Sequence, residues 1–312
     1  MNFWLKDIVK YSMSKLMKLR KFAFALVCVA FLVAFACMYF KKEDAKAVQE
    51  SAVLTVWQID SFEGGKGSRA DFLKNVGNSF NKSENCYVNV ISLSSDAARL
   101  NLSKGSAPDV ISYGAGTYGL EGYIKDYNVW CRGMYCLLTL DSGCDFSDVT
   151  AQNTVLNNGK DNFAGAAALL CGLSGSKTES ATSAYVKLLN GEYKYLLGTQ
   201  RDIFRLKTRN VSFAIKPITE FNDLYQSISI TRSCGNAVYA QKYINFLLSQ
   251  KSEIAKIGLF SDGAKLYEDE MSQCENLNFN KKITYPISLA VKTDIEKAVS
   301  AGDINMLKEL LK

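Results

Sequence analysis

Residues 54–114 of the chain read LTVWQIDSFEGGKGSRADFLKNVGNSFNKSENCYVNVISLSSDAARLNLSKGSAPDVISYG. Three runs in this stretch, Leu54–Ile59, Tyr87–Ser92 and Asp109–Tyr113, have the apolar and β-branched composition of short strands. Between them, Ser68–Asn81 repeats apolar side chains at helical spacing, and Asp96–Lys104 predicts a second helix. This βαβαβ order predicts an α/β protein with a parallel, doubly wound sheet, whose ligand crevice lies beyond the carboxyl ends of the strands.

The rest of the chain continues to alternate strands and helices, which predicts a second α/β unit. No internal repeat or low-complexity tract interrupts the sequence. The expected helices are Ala164–Leu173, Ser180–Leu189, Ala237–Ser249, Ala264–Ser272 and Lys292–Leu311, and the expected strands are Tyr193–Leu197, Ser212–Lys216 and Tyr225–Thr231.

The positive charge of the chain is concentrated at its N-terminus. The 312 residues carry 37 Lys and Arg against 31 Asp and Glu, a net charge of +6. Residues 1–42 hold eight of the basic residues and one Asp, so the remaining 270 residues sum to −1. A near-neutral globular part lacks the clustered Lys and Arg that bind phosphate backbones, which argues against a nucleic-acid partner.

The first 42 residues have the features of a membrane-inserted N-terminus. Residues 22–40 form a run of 19 uncharged, mostly apolar residues. As a helix this run would rise about 28 Å, close to the ~30 Å of a hydrocarbon core. Six Lys and Arg against one Asp precede it, so the positive-inside rule places residues 1–21 in the cytoplasm. We therefore predict a single transmembrane helix at 22–40, a linker at 41–52 and a domain outside the cytoplasm.

A lipid anchor is the alternative to a retained helix. Val33-Ala-Phe-Ala-Cys37 is a permissible bacterial lipobox, in which a small residue precedes a cysteine that could be cleaved and acylated. The basic region and the apolar stretch are both longer than in most secretory signals, which favours an uncleaved anchor. Either route would hold the domain on the outer face of the cell membrane.

Cysteine and histidine usage narrows the chemistry. The chain has nine cysteines and no histidine, which excludes Cys/His zinc sites, Ser-His-Asp triads and Cys-His dyads. Seven of the cysteines follow the apolar run without a CxxC pair, so at least one remains unpaired in a monomer. Small buried thiols are the expected state, and Cys131 with Cys136 is the first pair to test for a disulfide.

The glycine-rich loop Gly64-Gly-Lys-Gly-Ser-Arg69 is similar in composition to a phosphate-binding loop. It lacks the spacing of GxxxxGK[ST] and of GxGxxG, which argues against nucleotide binding. The better interpretation is a flexible loop followed by Ser68 as the N-cap of a helix.

Several segments resemble one protein family. The stretch 54–114 looks like the N-terminal lobe of extracellular solute-binding proteins of bacterial ABC importers, in the sugar-binding branch. The segments YKYLLGTQRDIFRLKTR (193–209) and SFAIKPITEFNDLYQSISIT (212–231) resemble the core of the second lobe and its return toward the first. AQKYINFLLSQ (240–250) and IGLFSDGAKLYEDEM (257–271) extend the similarity discontinuously. The resemblance rests on these segments taken together, and no single motif carries it.

This resemblance implies a two-lobed, periplasmic-binding-protein-like fold of type II behind the N-terminal transmembrane helix. Lobe 1 would span residues 53–130, lobe 2 residues 131–225, and residues 226–312 would return to lobe 1 and add C-terminal helices. The lobes would close on a solute like a hinged clamp, and permease subunits of the ABC transporter would recognise the closed form. The stretch 114–130 is shorter than is usual in the family, which bears on whether ligand binding is retained.

The candidate ligand contacts follow from the chemistry of sugars. A sugar has apolar faces and rims of hydroxyl groups, so its pocket needs aromatic plates beside carboxylates, amides or Arg. Trp57, Asp60, Phe62 and Glu63 supply both kinds of group at the end of the first strand. Core packing is the alternative for Trp57, and solvated loop charges are the alternative for Asp60 and Glu63.

The other candidates come from the end of the third strand, from the lobe crossing and from a strand end in lobe 2. They are Tyr113 and Gly114, Trp130 and Tyr135, and Gln200, Arg201 and Asp202, respectively. The last three follow an apolar strand at a position that often reaches the cleft in the family resembled. Packing at the hinge is the alternative for the aromatic pair, and a structural ion pair is the alternative for Arg201 and Asp202.

Together these features predict a binding protein, not an enzyme, that needs no cofactor and takes a small polar solute of the sugar or oligosaccharide class. One alternative is a sensor or scaffold module, in which a shortened binding-protein fold serves a partner protein. Another is a glycoside hydrolase with two Asp or Glu residues, because carboxylate chemistry does not need histidine. Loss of aromatic side chains from the cleft would favour the sensor or scaffold.

Overall fold

The computed structural model describes residues 27, 29–33, 52–62, 64–158 and 162–312. The chain divides into two units, residues 1–51 and 52–312. Residues 27 and 29–33 of the first unit are helical and exposed. No helix among the described residues is long and apolar enough to cross a membrane. Four expectations lie wholly or mostly outside the described residues: the segment 1–21, the anchor at 22–40 with Cys37, the linker through residue 51, and Glu63.

Strands and helices alternate along the second unit. In chain order its strands are β1 (Ala52–Ile59), β2 (Cys86–Leu93), β3 (Val110–Gly114), β4 (Asn128–Arg132), β5 (Tyr135–Thr139), β6 (Thr154–Asn157), β7 (Lys177–Glu179), β8 (Tyr195–Thr199), β9 (Ala214–Pro217), β10 (Phe221–Asn222), β11 (Tyr225–Ile230) and β12 (Lys281–Lys282). Its helices are α1 (Arg69–Glu84), α2 (Ser95–Ser103), α3 (Ala164–Leu170), α4 (Ala181–Leu189), α5 (Gln200–Thr208), α6 (Ala237–Ser249), α7 (Lys251–Lys256), α8 (Leu289–Ala301) and α9 (Ile304–Leu310). A short 3₁₀ helix covers Glu270–Cys274.

The first sheet has the strand order β2-β1-β3-β11-β4. Strands β1, β2 and β3 are parallel, and β11 runs antiparallel to both β3 and β4. The βαβαβ prediction for residues 54–114 is therefore confirmed. This sheet and the helices packed on it form lobe 1.

The second sheet has the order β7-β6-β8-β5-β9 and forms lobe 2 with its helices. Strands β6, β7 and β8 are parallel, whereas β5 runs antiparallel to β8 and β9. Each lobe thus has a parallel core, and antiparallel strands carry the chain into and out of it. The two-lobed α/β architecture agrees with the expectation from the sequence.

The local sequence explains where α1 begins and ends. Ser68 is its N-cap, and the Ser68 hydroxyl accepts the Asp71 N–H at 3.0 Å, as the sequence predicted. Asn85 ends the helix in the left-handed conformation with φ 50°. Phe72, Leu73, Val76 and Phe80 form the buried face that packs on the first sheet.

The C-terminal region contacts both lobes. Helix α6 packs on α1, β1 and β11 in lobe 1, but the 3₁₀ helix contacts β9, and α8 and α9 contact α3 of lobe 2. The sequence predicted that residues 226–312 return to lobe 1 and add C-terminal helices. Small residues on α3 explain the approach of α8, because a Cβ on Gly165 would lie 2.7 Å from a Val299 methyl group. The apolar side of α8, with Ile295 and Ala298, is buried in this contact.

Two of the expected helices were wrong. Residues 264–269 are not helical, because the Glu275 carboxylate accepts the backbone N–H groups of Leu266 and Tyr267 at 2.6 and 3.2 Å. The single helix expected at 292–311 is broken by Gly302, which has φ +67° and ends α8. The Asp303 side chain then caps α9. None of the seven cysteines after the apolar run is in a disulfide, including Cys131 and Cys136.

We predict that Gly77→Ala destabilises lobe 1. Helix propensity alone would favour Ala by about 1 kcal/mol. A Cβ on Gly77 would, however, lie 2.8 Å from Val88 Cβ on β2, so α1 would have to move away from the sheet. We expect the free energy of unfolding, measured in urea, to fall by about 1–3 kcal/mol. Gly122→Ala is the control, since nothing lies within 4 Å of that Cβ position, and equal stability of the two variants would contradict the prediction.

Candidate functional site between the lobes

The carboxyl ends of strands from the two sheets meet at Gly133, which follows β4 and precedes β5. A Cβ on Gly133 would lie 2.7 Å from Gln200 Oε1 of lobe 2 and 3.0 Å from Phe62 Cε2 of lobe 1. Asn222 Nδ2 donates to the Gly133 carbonyl at 3.1 Å, and the Gly133 N–H donates to the Leu224 carbonyl at 2.6 Å. Two predicted ligand contacts, Phe62 and Gln200, are thus brought together here. We call the surroundings of Gly133 the interlobe site.

A buried hydrogen-bond network forms the lobe 1 side of the interlobe site. Arg69, the first residue of α1, donates through Nη1 to Ser61 Oγ at 3.3 Å and to Gln226 Oε1 of β11. Gln226 Nε2 in turn donates to Ser112 Oγ at 2.9 Å, and Trp130 Nε1 donates to the same oxygen at 3.1 Å. The network therefore ties the start of α1 to three strands of the first sheet.

Arg69 also joins this network to Phe62. The guanidinium carbon lies 4.6 Å from the centroid of the Phe62 ring, and Arg69 is completely buried. An arginine remains charged when buried and suits contact with an aromatic face. Gly114 is required nearby, because a Cβ at this position would overlap the Ser61 side chain. The predicted ligand contact Gly114 thus has a structural role in letting the loop after β1 approach β3.

A buried carboxylate orders the lobe 2 side. Asp202 Oδ2 accepts the Thr199 N–H at 3.0 Å and an Asn157 Nδ2 hydrogen at 3.2 Å. Thr199 and Asp202 form the capping box that starts α5. Burial raises the pKa of Asp202, and its hydrogen bonds and nearby arginines oppose this shift. Its ion pair is with Arg205 at 3.4 Å, whereas the sequence alternative had paired it with Arg201, which is half-buried.

A second buried carboxylate fixes the segment 218–224, which crosses from lobe 2 to lobe 1. Asp223 accepts the Tyr135 hydroxyl through Oδ1 at 2.8 Å and the Phe163 N–H through Oδ2 at 2.9 Å. Burial raises the pKa of Asp223 to about 6, although both hydrogen bonds and the charge of Lys292 act to lower it. The pKa of Tyr135 lies well above its usual value because of burial and because of Asp223. The predicted contact Tyr135 is therefore engaged by the crossing segment.

The aromatic residues predicted at the strand ends of lobe 1 lie inside the protein. Trp57 and Tyr113 belong to one apolar cluster on the α2 side of the first sheet. The Tyr113 hydroxyl forms a 3.0 Å hydrogen bond with the Ser229 hydroxyl, and burial raises the pKa of Tyr113 to about 12. For Trp57 the structure places the ring in the core, which was the alternative stated from the sequence.

The aromatic residues predicted at the lobe crossing are also buried. Trp130 stacks on Phe72 of α1, with ring centroids 5.6 Å apart and planes 2° apart. Trp130 and Tyr135 are 2% and 1% exposed. Of the predicted aromatic residues, Phe62 is the one whose ring lies beside Gly133 together with the Gln200 side chain.

Two of the predicted polar contacts lie near the surface. Asp60 is exposed, and its carboxylate accepts the Ser92 hydroxyl at 3.0 and 3.1 Å, which joins the loop after β1 to the carboxyl end of β2. Arg201 is half-buried at the start of α5, next to Gln200, whose Oε1 accepts the Met134 N–H at 2.9 Å.

Several residues of the site were not identified from the sequence, among them Arg69, Gln226 and Asp223. Arg69 was noted only as the end of the glycine-rich loop. Gln226 lies in β11, whose sequence YQSISI alternates polar and apolar residues although almost all of them are buried, so its burial could not be read from the sequence. Asp223 precedes the same strand and gave no signal, because its partners Tyr135 and Phe163 are distant in sequence.

The described residues contain no group of three or more His, Cys, Asp or Glu arranged to hold a metal ion. The hydrogen-bonding groups at the interlobe site are instead amide, hydroxyl and guanidinium groups. The Phe62 ring lies against the guanidinium of Arg69. Such groups bind neutral or polar oxygen-rich molecules through oriented hydrogen bonds.

The structure is similar to solved solute-binding proteins. A galacto-N-biose/lacto-N-biose I-binding protein of an ABC transporter from Bifidobacterium longum, in complex with lacto-N-biose, matches with a TM-score of 0.58 at 11% identity, over 85% of this chain and 96% of the other. The GacH receptor of Streptomyces glaucescens, solved unliganded and with acarbose, matches with a TM-score of 0.54 at 12% identity, over 84% and 94%. Iron-bound HitA from Pseudomonas aeruginosa matches with a TM-score of 0.52 at 12% identity, over 83% and 99%.

No protein-family model matches the sequence, and no curated protein matches it. At 11–12% identity the structural similarity establishes the fold alone. The chain has the type II periplasmic-binding-protein fold, as the resemblance in its sequence had implied.

We predict that Asp223 makes stability depend on pH. Its pKa is about 6 in the folded protein against 3.8 for an ordinary Asp, so the folded state binds the proton more tightly than the unfolded state. The stabilising contribution is therefore complete below about pH 4 and is lost as the pH rises through 6. The difference corresponds to about 3 kcal/mol.

The measurement is the free energy of unfolding of the wild type and of Asp223→Asn between pH 4 and pH 7.5. The wild type should lose stability relative to the variant as the pH rises, because the variant cannot ionise at this position. If the free energies of unfolding of the wild type and of Asp223→Asn differed by the same amount at every pH, the prediction would be contradicted. Asn78→Ala, at an exposed side chain that does not ionise, serves as the control, and its free energy of unfolding should follow that of the wild type as the pH changes.

Proposed function

We propose that the chain is the extracytoplasmic solute-binding protein of an ABC importer. The observation that carries this proposal is the meeting of strand carboxyl ends from both lobes at Gly133, with Phe62 of lobe 1 and Gln200 of lobe 2 beside it. In open α/β sheets, ligands bind beyond the carboxyl ends of the strands, so a solute held there would contact both lobes. Catalysis is not part of the proposal.

The proposed solute is small and polar, and the sugar or oligosaccharide class is favoured. Two of the similar structures were solved with lacto-N-biose or acarbose bound. At the interlobe site, the amides of Gln200 and Gln226 and the guanidinium of Arg69 are suited to hydroxyl groups, and Phe62 offers an apolar face. In this structure Arg69 donates to Gln226, and Gln200 accepts the Met134 N–H, so a solute would exchange its own hydroxyl groups for those contacts.

Capture would follow from a shift between open and closed lobes. A solute that touches both lobes stabilises the closed form by the additional contacts it makes there. Hinge closure of this kind uses the few residues at the lobe crossings, here around Gly133 and the segment 218–224. The permease subunits of the transporter are the proposed partners that recognise the closed form.

The proposal includes attachment to the outer face of the cell membrane. Residues 22–40 supply the apolar length for a helix, and Cys37 supplies an acylation site as the alternative. With either anchor, the unit 52–312 would stay close to the permeases, which raises its effective concentration at the transporter.

A sensor or scaffold module remains a second candidate, and one observation favours it. Four predicted aromatic contacts, Trp57, Tyr113, Trp130 and Tyr135, are packed inside the protein at 5% exposure or less. A fold of this type without aromatic plates in its cleft could respond to a partner protein and not to a sugar.

A thermal-shift screen of residues 52–312 against monosaccharides and oligosaccharides tests the proposal, with amino acids and peptides as other solute classes. A solute that binds only the folded state at 100 times its Kd adds about 2.7 kcal/mol of stability, which raises Tm by roughly 5 °C or more. We expect such a shift for at least one sugar.

Phe62→Leu should abolish the sugar-dependent shift, because it keeps apolar bulk but removes the ring at the interlobe site. Tyr87→Leu is the matched control, since Tyr87 is exposed at the amino end of β2, far along the strand from the carboxyl end. A folded protein that responds to no solute would remove the transport proposal in favour of the sensor or scaffold.

A further inference from the structure

The two lobes also touch outside the interlobe site, where Phe204 of lobe 2 meets two glycines of lobe 1. Phe204 lies on α5, and a Cβ placed on Gly65, in the loop before α1, would overlap its ring. A Cβ on Gly258, which follows α7, would lie 3.3 Å from Phe204 Cδ2. The ring therefore packs directly on the main chain of Gly65 and Gly258. We call these two glycines and their neighbours the glycine cradle.

The glycine cradle is held together within lobe 1. The N–H groups of Gly65 and Lys66 both donate to the Ile257 carbonyl, at 2.9 and 3.3 Å. A Cβ on Gly258 would lie 2.7 Å from the Gly65 nitrogen, so the two loops contact each other through main chain. Gly258 has φ +78°, a conformation that glycine adopts without strain. The glycine cradle therefore takes its shape from contacts within lobe 1. The Phe204 ring fits against it because the two glycines have no side chains.

Phe204 is not needed for the core of its own lobe. Helix α5 buries Ile203 and Leu206 against the second sheet, whereas Phe204 is half-buried on the side toward lobe 1. An apolar ring placed there removes its surface from water when the two lobes are together and exposes it when they part. Its contact therefore favours the arrangement in which the lobes touch.

We propose that Phe204 is an affinity-determining residue that latches the lobes together before any solute binds. The ring seated in the glycine cradle raises the fraction of the chain in the closed form. Since apparent affinity scales with the fraction of protein in the binding-competent state, the latch strengthens solute capture without touching the solute. The latch itself is a property of the ligand-free protein, and its consequence for capture rests on the proposed function.

The test is single-molecule energy transfer on the full chain in detergent micelles without solute. Fluorophores are attached through ketone-bearing amino acids at the exposed positions Asn78 on α1 and Thr182 on α4, because nine cysteines make thiol labelling unselective. The wild type should populate the separation seen in this structure. Phe204→Ala should lower the ratio of closed to open molecules by about tenfold, through loss of the ring contact.

Gly65→Ala should shift the distribution in the same direction, because its methyl group would take the space of the ring. In the Phe204→Ala background the same substitution should add a smaller shift, since the ring is gone and only the Cβ of residue 204, at 2.3 Å, remains to collide with the new methyl group. Gly122→Ala, at an open position, is the matched control and should leave the distribution unchanged. Circular dichroism establishes that each variant is folded, and Phe204→Leu, with an intermediate expected shift, replaces Phe204→Ala if that variant is not.

Three results would overturn the latch: a wild type without the closed population, a distribution unaffected by Phe204→Ala, or additive effects of Gly65→Ala and Phe204→Ala. The experiment contains no solute, so its outcome is separate from that of the solute screen. A latch found in a protein that binds no solute would remove the transport proposal alone. A sugar response in a protein whose lobes do not close through Phe204 would remove the latch alone.

Discussion

The guanidinium of Arg69 is fully buried at the start of α1, and much of lobe 1 is arranged around it. A buried charge without partners costs several kcal/mol, so the groups that bond it have to be held in place. Ser61 in the loop after β1 and Gln226 on β11 meet this requirement, and Gln226 passes the connection on to Ser112. The loop that carries Phe62 to the interlobe site is therefore positioned by the same interaction that fixes α1 to the sheet.

The contact between the lobes is made of glycine main chain and buried polar groups, with few aromatic plates. Gly133 leaves room for Phe62 of lobe 1 and Gln200 of lobe 2, and Gly65 leaves room for the Phe204 ring. A methyl group at either glycine would force the lobes or their loops apart. Asp223 anchors the crossing segment to lobe 2, so that lobe movement has to be absorbed by the few residues between the sheets.

The fold alone does not decide the solute, because the same architecture serves many ligands. Proteins of similar structure were solved with lacto-N-biose, with acarbose and with iron. The choice between these kinds of solute depends on the side chains near Gly133. There the Gln200 amide and the Arg69 guanidinium lie beside the Phe62 ring. Four aromatic side chains that would have suited a sugar are instead part of the core or of the hinge, which is why a partner-binding role stays in competition with transport.

The sequence by itself determined the βαβαβ unit of lobe 1, the Ser68 cap and the concentration of charge before an apolar run, because each follows from the spacing of neighbouring residues. It did not determine which side of a strand Trp57 faces, that Asp202 pairs with Arg205, or that α8 lies on α3. The tertiary structure also decided the contacts of Arg69 with Gln226 and of Phe204 with Gly65, which join residues far apart in the chain. Local periodicity specifies helices and strands, whereas contacts over such separations depend on how the completed lobes pack.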